Sequence, residues 1–453
     1  MLLAKPYALC AMRRAQYFLT LLTLVALGSL LFAGTVRAQT KGTFTPRVSV
    51  SETFDDNINL SPNHEESDWI TVTSPGFSLL LQSEKTDLNL DMEAGLSYYL
   101  QDSSKDTIRY RGQLSWDQKL AEYLSLRLSD IFSRSEDPVT EEEGRIIDIA
   151  NKRDVEYRNT GEASLSWQFG PQDSVTAGYR NRLLDSRSDD TEDSRTNEGF
   201  FNLSTWFVSQ LGMDLTSSFS RSEFQQPSGF TGIPTDDFYR YSGGLTLNYR
   251  WSQQDIGYAR YNIVYQDFDH EFGAISTVVS EDYIVHQPTV GLDLGLGQNT
   301  DFGLEFGYFH QEFDGDRKGE DGYVLNASFN QRGERTTFSI QTNSGYTLDY
   351  GTSDNQGFSK YSDSSANVGY QLTENLNIFA TARYRWDDYT ETNRTDHTYG
   401  GRAGFNYTFH RWLSVSLDGG HLRRDSNENN QEFKDNRVTL RITTSYPIPL
   451  FGD

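Results

Sequence analysis

Cysteine is almost missing from this chain of 453 residues: the single one, Cys10, lies ahead of an apolar stretch near the N-terminus. Beyond that segment there is no thiol, so disulfides, cysteine metal sites and a cysteine nucleophile are excluded. A lipoprotein is not expected either, because Cys10 precedes the apolar stretch instead of following it. Apolar runs long enough to cross a bilayer as helices are absent past the same point. Hydrophobic residues make up 36% and mean hydropathy is −0.63, which excludes a bundle of membrane-spanning helices. Positive charge is short: 40 Lys and Arg stand against 64 Asp and Glu, for a formal charge of −24. That balance argues against nucleic-acid binding by phosphate neutralisation. Proline is scarce at 11 residues, and glycine at 37 is not. Signature motifs of catalysis are missing too: there is no G-x-S-x-G, H-E-x-x-H or P-loop. The seven histidines are scattered, and His270 between Asp269 and Glu271 is the one that most invites a catalytic reading.

The N-terminus has the features of an export signal. Arg13 and Arg14 precede the apolar stretch Tyr17 to Phe32, and Val36-Arg37-Ala38 supplies small residues for cleavage before Gln39. We expect residues 1–38 to be a signal peptide and 39–453 a single domain, with no linker and no plug.

Over that domain one pattern repeats, a period-2 alternation followed by turn residues. From Asp87 onward, Leu88, Leu90, Met92, Ala94, Leu96, Tyr98 and Leu100 face one way, and Asp87, Asn89, Asp91 and Glu93 the other. The same reading fits Tyr157 to Phe169, Tyr239 to Trp251, Leu376 to Trp386 and Tyr399 to Phe409. A tilted strand crosses a bilayer in about 9–11 residues, whereas sandwich strands usually run near five or six. Connections alternate between short turns, such as Gln82 to Lys85 and Thr373 to Asn375, and long polar loops. The long ones include Asp55 to Asp68, Ser133 to Asp154, Asp185 to Asn197 and Asp425 to Asn436. Tyr, Trp and Phe gather near the ends of the apolar stripes, as amphipathic rings do at headgroups. The expected fold is therefore all-β: one transmembrane antiparallel barrel of about 20 strands (18–20), with short periplasmic turns and long acidic extracellular loops. Pro75 and Pro288 fall inside strands, where a bulge or kink is expected.

Charge sorted by position sharpens the functional reading. The long loops carry nearly all of the negative charge, and the polar phase of the strands is an Arg–carboxylate mosaic. The best candidates for a positive, solute-binding strip are Arg109, Arg111, Arg180, Arg182, Arg383, Arg385, Arg402, Arg437 and Arg441. Tyr99, Trp206, Tyr258 and Phe309 fall on the same phase, where their rings could stack on sugar faces. Guanidinium forks would grip anionic groups. The competing reading is that each Arg pairs with an acid across strands and only holds the wall. Asp314-Gly315-Asp316 with Glu320-Asp321 fits no EF-hand spacing, so no metal site is expected, and no cofactor.

Pro46-Arg47-Val48-Ser49-Val50-Ser51-Glu52-Thr53-Phe54-Asp55-Asp56-Asn57-Ile58 resembles the opening of the putative β-barrel porin 2 proteins, whose first strand ends in D/N-D-N-I/L. The resemblance implies an outer-membrane location and a role in exopolysaccharide or capsule export, and carries over no catalytic residue. Together these readings point to a passive conduit for a polar substrate, foremost a secreted polysaccharide. Its partners would be outer-membrane lipid or lipopolysaccharide and a periplasmic export protein, with no nucleic acid. A general or sugar-selective uptake porin, and a closed barrel serving as surface scaffold or adhesin, stay open; an enzyme ranks last.

Overall fold

The computed structural model describes residues 40–142, 145–149, 153–189, 191–227, 230, 234–269, 281–315, 317–348, 350 and 357–451. The expected signal peptide and His270 lie outside them. In chain order the strands are β1 (Lys41–Asp55), β2 (Asp68–Gln82), β3 (Thr86–Tyr99), β4 (Thr107–Ala121), β5 (Leu124–Ser135), β6 (Val139–Glu142), β7 (Arg145–Ile149) and β8 (Glu156–Gln168). They continue as β9 (Ser174–Ser186), β10 (Asp193–Val208), β11 (Leu211–Gln225), β12 (Phe238–Arg250), β13 (Ile256–Phe268), β14 (Tyr283–Gly295), β15 (Thr300–Phe313) and β16 (Asp321–Arg332). The last are β17 (Thr336–Thr347), β18 (Ser359–Gln371), β19 (Leu376–Tyr389), β20 (Arg394–His410), β21 (Leu413–Ser426), β22 (Phe433–Ser445) and β23 (Ile448–Phe451). Among the described residues, no helix is long and apolar enough to cross a membrane.

Every strand except the β6–β7 hairpin joins one antiparallel sheet, each pairing with its neighbours in sequence. The sheet closes because β1 pairs with β2 on one side and with β22 and its continuation β23 on the other. The result is a barrel of 20 strands, and closure leaves no unpaired edge to face lipid. Turns 83–85, 122–123, 169–173, 209–210, 251–255, 296–299, 333–335, 372–375 and 411–412 gather at one end, which the termini share. The longer connections, up to 136–155, gather at the other. Short turns mark the periplasmic end and long loops the extracellular one.

Two loops are shorter than the sequence suggests, because strands continue into them: β9 to Ser186 and β10 from Asp193, and β21 to Ser426 with β22 from Phe433. The Ser133 to Asp154 stretch is trimmed likewise by β5 and contains the β6–β7 hairpin, which the pattern did not reveal. Neither Pro75 nor Pro288 produces a bulge. Pro75 pairs with Val48 of β1, but the β2–β3 ladder lapses between Thr73 and Gly76. Pro288 pairs with Tyr261 of β13, and the β14–β15 ladder lapses between His286 and Thr289. Each proline faces its missing donor to one neighbour only, and the register resumes unshifted.

Register assigns the two faces. In β19, Leu376, Ile378, Ala380, Ala382, Tyr384 and Trp386 look outward, and Asn377, Thr381, Arg383, Arg385 and Asp387 inward. Followed around the wall, the outward Asp, Glu, Lys and Arg residues lie within four positions of the extracellular strand ends, Asp130 excepted. Below that collar the outward face is apolar, aromatic or small, apart from Asn181 and, near the periplasmic ends, Gln118 and Gln331. Val48, Leu96, Leu165, Leu247, Ile340 and Leu440 are all exposed on it. An apolar belt of that kind is stable only against hydrocarbon.

Residues packed away from solvent lie instead inside the extracellular half of the lumen. One cluster joins Phe238, Phe268, Tyr283, Val285, Phe309, Phe313 and Val324 of the wall to Tyr350 and Phe358 from the connection after β17. A smaller one joins Ile58, Ile70 and Tyr99.

Candidate functional site

The inward faces of twenty strands make a lumen, and nearly all of its candidate arginines are paired. Arg180 donates to Glu162 at 2.9 Å and reaches Glu198 at 3.3 Å, and Arg182 lies 3.1 Å from the same Glu198. Arg383 holds Asp363 at 2.7 Å, Arg385 holds Asp387 at 2.6 Å, and Arg402 holds Asp418 at 2.8 Å. Arg385 and Asp387 are two positions apart on β19; the other pairs join directly opposed or diagonal positions of neighbouring strands, where a guanidinium and a carboxylate meet without bending the backbone. Arg111 and Arg441 are the two candidates with no ion pair among the described residues. Arg47, which the sequence showed only as part of a motif, grips Asp91 through both of its terminal nitrogens and sits 3.2 Å from Glu93.

Arg109 and Arg437 anchor loops. Arg109 donates to Glu136 at 2.8 Å, and the Tyr99 hydroxyl donates to the same carboxylate at 2.9 Å. Arg153 crosses from the far end of that loop to donate to Tyr99 at 3.0 Å and to Ile58 O at 2.6 Å. Arg437 meets Asp55 at 3.2 Å, Asp137 at 3.2 Å and Asp435 at 2.7 Å. Burial by itself would raise the Asp137 carboxyl, but Arg437, Arg153 and Arg109 hold it well below the ordinary carboxylate range. The 136–155 connection is thus pinned to the β1–β4 and β22 wall by charge. Asp55, Asp56 and Asp435 bring carboxylate oxygens within 4.8 Å of one another, the arrangement a cation would need. Arg437 already meets the charge of two of them, so the trio reads as an ionic clasp.

The four candidate rings all face inward, but they line the wall instead of projecting from it. Trp206, Tyr258 and Phe309 each lie over a directly opposed glycine: Gly212, Gly291 and Gly322. A Cβ at those glycines would come within 2.7, 2.3 and 2.4 Å of the rings. Arg250 covers the Trp206 ring at 3.8 Å and Arg260 the Tyr258 ring at 5.0 Å. Tyr99 is 3% exposed beneath Arg153, and Phe309 is 1% exposed between Tyr346 and Phe358, so neither has an open face for a sugar.

One lumen cavity sets neutral polar groups among apolar ones. It measures about 360 Å³ and lies between the Arg180–Glu198 pair and Tyr346. Phe200, Asn202, Thr216, Ser218, Ser242, Asn262 and Gln287 line it. Amides and hydroxyls there can both donate and accept, and the one charged pair is self-neutralised.

These features, a closed barrel with an apolar belt and a polar interior, define an outer-membrane β-barrel channel. A family model described as putative beta-barrel porin 2 matches residues 207–446, and the chain belongs to that family. The matched span excludes the Pro46 to Ile58 stretch on which the sequence resemblance rested. No curated protein sequence matches the chain. Among solved structures it is similar to the copper transporter OprC, at 11% identity and TM-score 0.51, covering 88% of this chain and 80% of that one. Pseudomonas aeruginosa OccK7 (OpdD) matches at 13% identity and TM-score 0.43, over 92% and 100% of the two chains. A BenF-like porin from Pseudomonas fluorescens Pf-5 matches at 12% and 0.44, over 91% and 99%. At such identities the likeness concerns the fold alone.

Proposed function

We propose that the barrel passes an uncharged, polyhydroxylated solute across the outer membrane without an energy source, with export of an exopolysaccharide as the leading case. The observation that carries this is the neutralised wall. With seven of the nine candidate arginines held by acids, the lumen offers amide and hydroxyl groups at its cavity, and only Arg111 and Arg441 are left to attract an anion. A periplasmic partner would supply direction, meeting the short turns at that end. The collar of outward ions at the extracellular strand ends suits the phosphates of lipopolysaccharide, with divalent ions bridging its acids. A second reading, uptake of small sugars, is favoured by the size of the cavity and by the packed clusters that narrow the extracellular half.

Planar-bilayer recording of refolded protein tests the shared claim: conductance is expected, with current block on adding neutral oligosaccharide. A silent bilayer would leave the closed scaffold as the better account. Charge reversal of the unpaired Arg111 and Arg441 to Glu should move the reversal potential toward cation preference. Gene deletion then separates the two directions. Loss of extracellular glycan supports export, and intact glycan with slowed sugar uptake supports the porin.

A further inference from the structure

Outside the lumen, two histidines stand side by side on the lipid-facing wall. His286 of β14 and His310 of β15 are direct register partners, each three positions below the extracellular end of its strand. Antiparallel partners place their Cα atoms about 4.5–5.5 Å apart with side chains on one face, so the imidazoles are neighbours. Both rings are held through Nδ1. His310 Nδ1 lies 2.6 Å from Asp321 Oδ1, and Asp321 is itself the register partner of His310 on β16. A carboxylate only accepts, so Nδ1 carries the proton, and in the neutral imidazole Nε2 holds the lone pair. The Tyr308 hydroxyl also donates to Asp321 Oδ1 and fixes the carboxylate. His286 Nδ1 lies 2.7 Å from Tyr261 Oη, a partner that can accept from Nδ1–H and leave the second Nε2 free in the same way.

The position matters as much as the pair. Immediately below His286 the β14–β15 ladder lapses at Gln287 and Pro288, so the pairing of the two strands is interrupted next to the rings. We propose that His286 and His310 chelate a divalent transition-metal ion through Nε2, Zn2+ being the ion tested, and that the ion staples β14 to β15 across this gap. Asp321 and Tyr261 act as positioning residues. Imidazole suits such ions, with Zn–N bonds of about 2.0–2.1 Å, and water would complete a tetrahedral shell. A hydrogen bond from the remote ring nitrogen to a carboxylate is the usual support of a metal-bound histidine. Two other outward histidines give the comparison. His397 bonds Tyr384 and His421 bonds Asn436 through Nδ1, but neither has a histidine as register partner.

The test is Zn2+ titration of the full chain refolded in detergent micelles, by calorimetry, with unfolding temperature as a second reading. One saturable site per chain is expected, with a Zn2+-dependent rise in unfolding temperature. His286→Gln and His310→Gln should each abolish both. Asp321→Asn should weaken binding about 10- to 100-fold, while His397→Gln and His421→Gln leave it unchanged. Zn2+ titration of a folded His286→Gln/His310→Gln double variant that matches the parent overturns the proposal, as does a parent with no saturable site. Should a single variant fail to refold, Zn2+ protection of the parent against unfolding, shifted to about 10- to 100-fold higher Zn2+ in Asp321→Asn, decides the matter instead, and equal protection in the two overturns the proposal.

Discussion

Asn57 shows how one side chain can hold the extracellular end of the seam where the barrel closes. It is 0% exposed, and its Nδ2 donates to Ser61 O at 2.9 Å and to Lys434 O at 2.8 Å, while its Oδ1 accepts from Ser61 N at 2.9 Å. Its own backbone N–H donates to Asp55 Oδ1, so the Asp-Asp-Asn run folds the chain out of β1 and ties it to β22. Net contributions near 1 kcal/mol per bond make Asn57→Ala costly by roughly 2–4 kcal/mol. Urea unfolding in micelles should show that loss, and an unchanged midpoint would reduce the motif to an accident of composition. The sequence presented this run as a resemblance and could not say what it touches. Its partner Lys434 lies 377 positions away, and no local pattern encodes such a contact.

The described residues of the connection after β17, with the end of β17 itself, pack into the extracellular half of the lumen. Tyr346, Leu348, Tyr350 and Phe358 pack against Phe309, Phe238 and Tyr283, and Arg240 donates to Leu348 O at 2.8 Å. The hydroxyls of Tyr283 and Tyr350 meet at 3.2 Å. Truncating a buried phenylalanine typically costs about 3–5 kcal/mol, much of it local to the packing lost. Phe358→Ala should therefore loosen this segment and raise single-channel conductance while the barrel stays folded. Equal conductance in parent and variant would mean the solute path runs elsewhere. Strand existence was legible because alternation is a local, repeated signal. Loop packing was not, since loops read only as polar from composition and their few apolar residues carry no periodicity.

Across the whole molecule the outer face behaves as a belt. Ile340 and Gln341 sit side by side in the middle of β17, Ile340 outward and Gln341 toward the lumen. Arginine at a lipid-facing midplane costs about 2–4 kcal/mol, and in a wet lumen far less. Ile340→Arg should accordingly destabilise the refolded protein by that amount, and Gln341→Arg should be close to neutral. Equal effects would contradict the assignment of faces. Most lumen arginines were visible as polar-phase residues, but their pairing was not. Arg437 and Asp137 are separated by 300 positions, and the balance between a binding strip and a braced wall depends on which acids arrive opposite.

Alternation, turn spacing and the placement of aromatics were enough, by themselves, to require a closed membrane barrel and to say which residues face lipid. They act through short-range geometry, since successive strand residues point to opposite sides and hydrocarbon penalises every error. Closure decided the rest. Only when β1 meets β22 do Asp55, Arg437, Asp435 and Asp137 converge, and only in the folded barrel do the loops find walls to pack against.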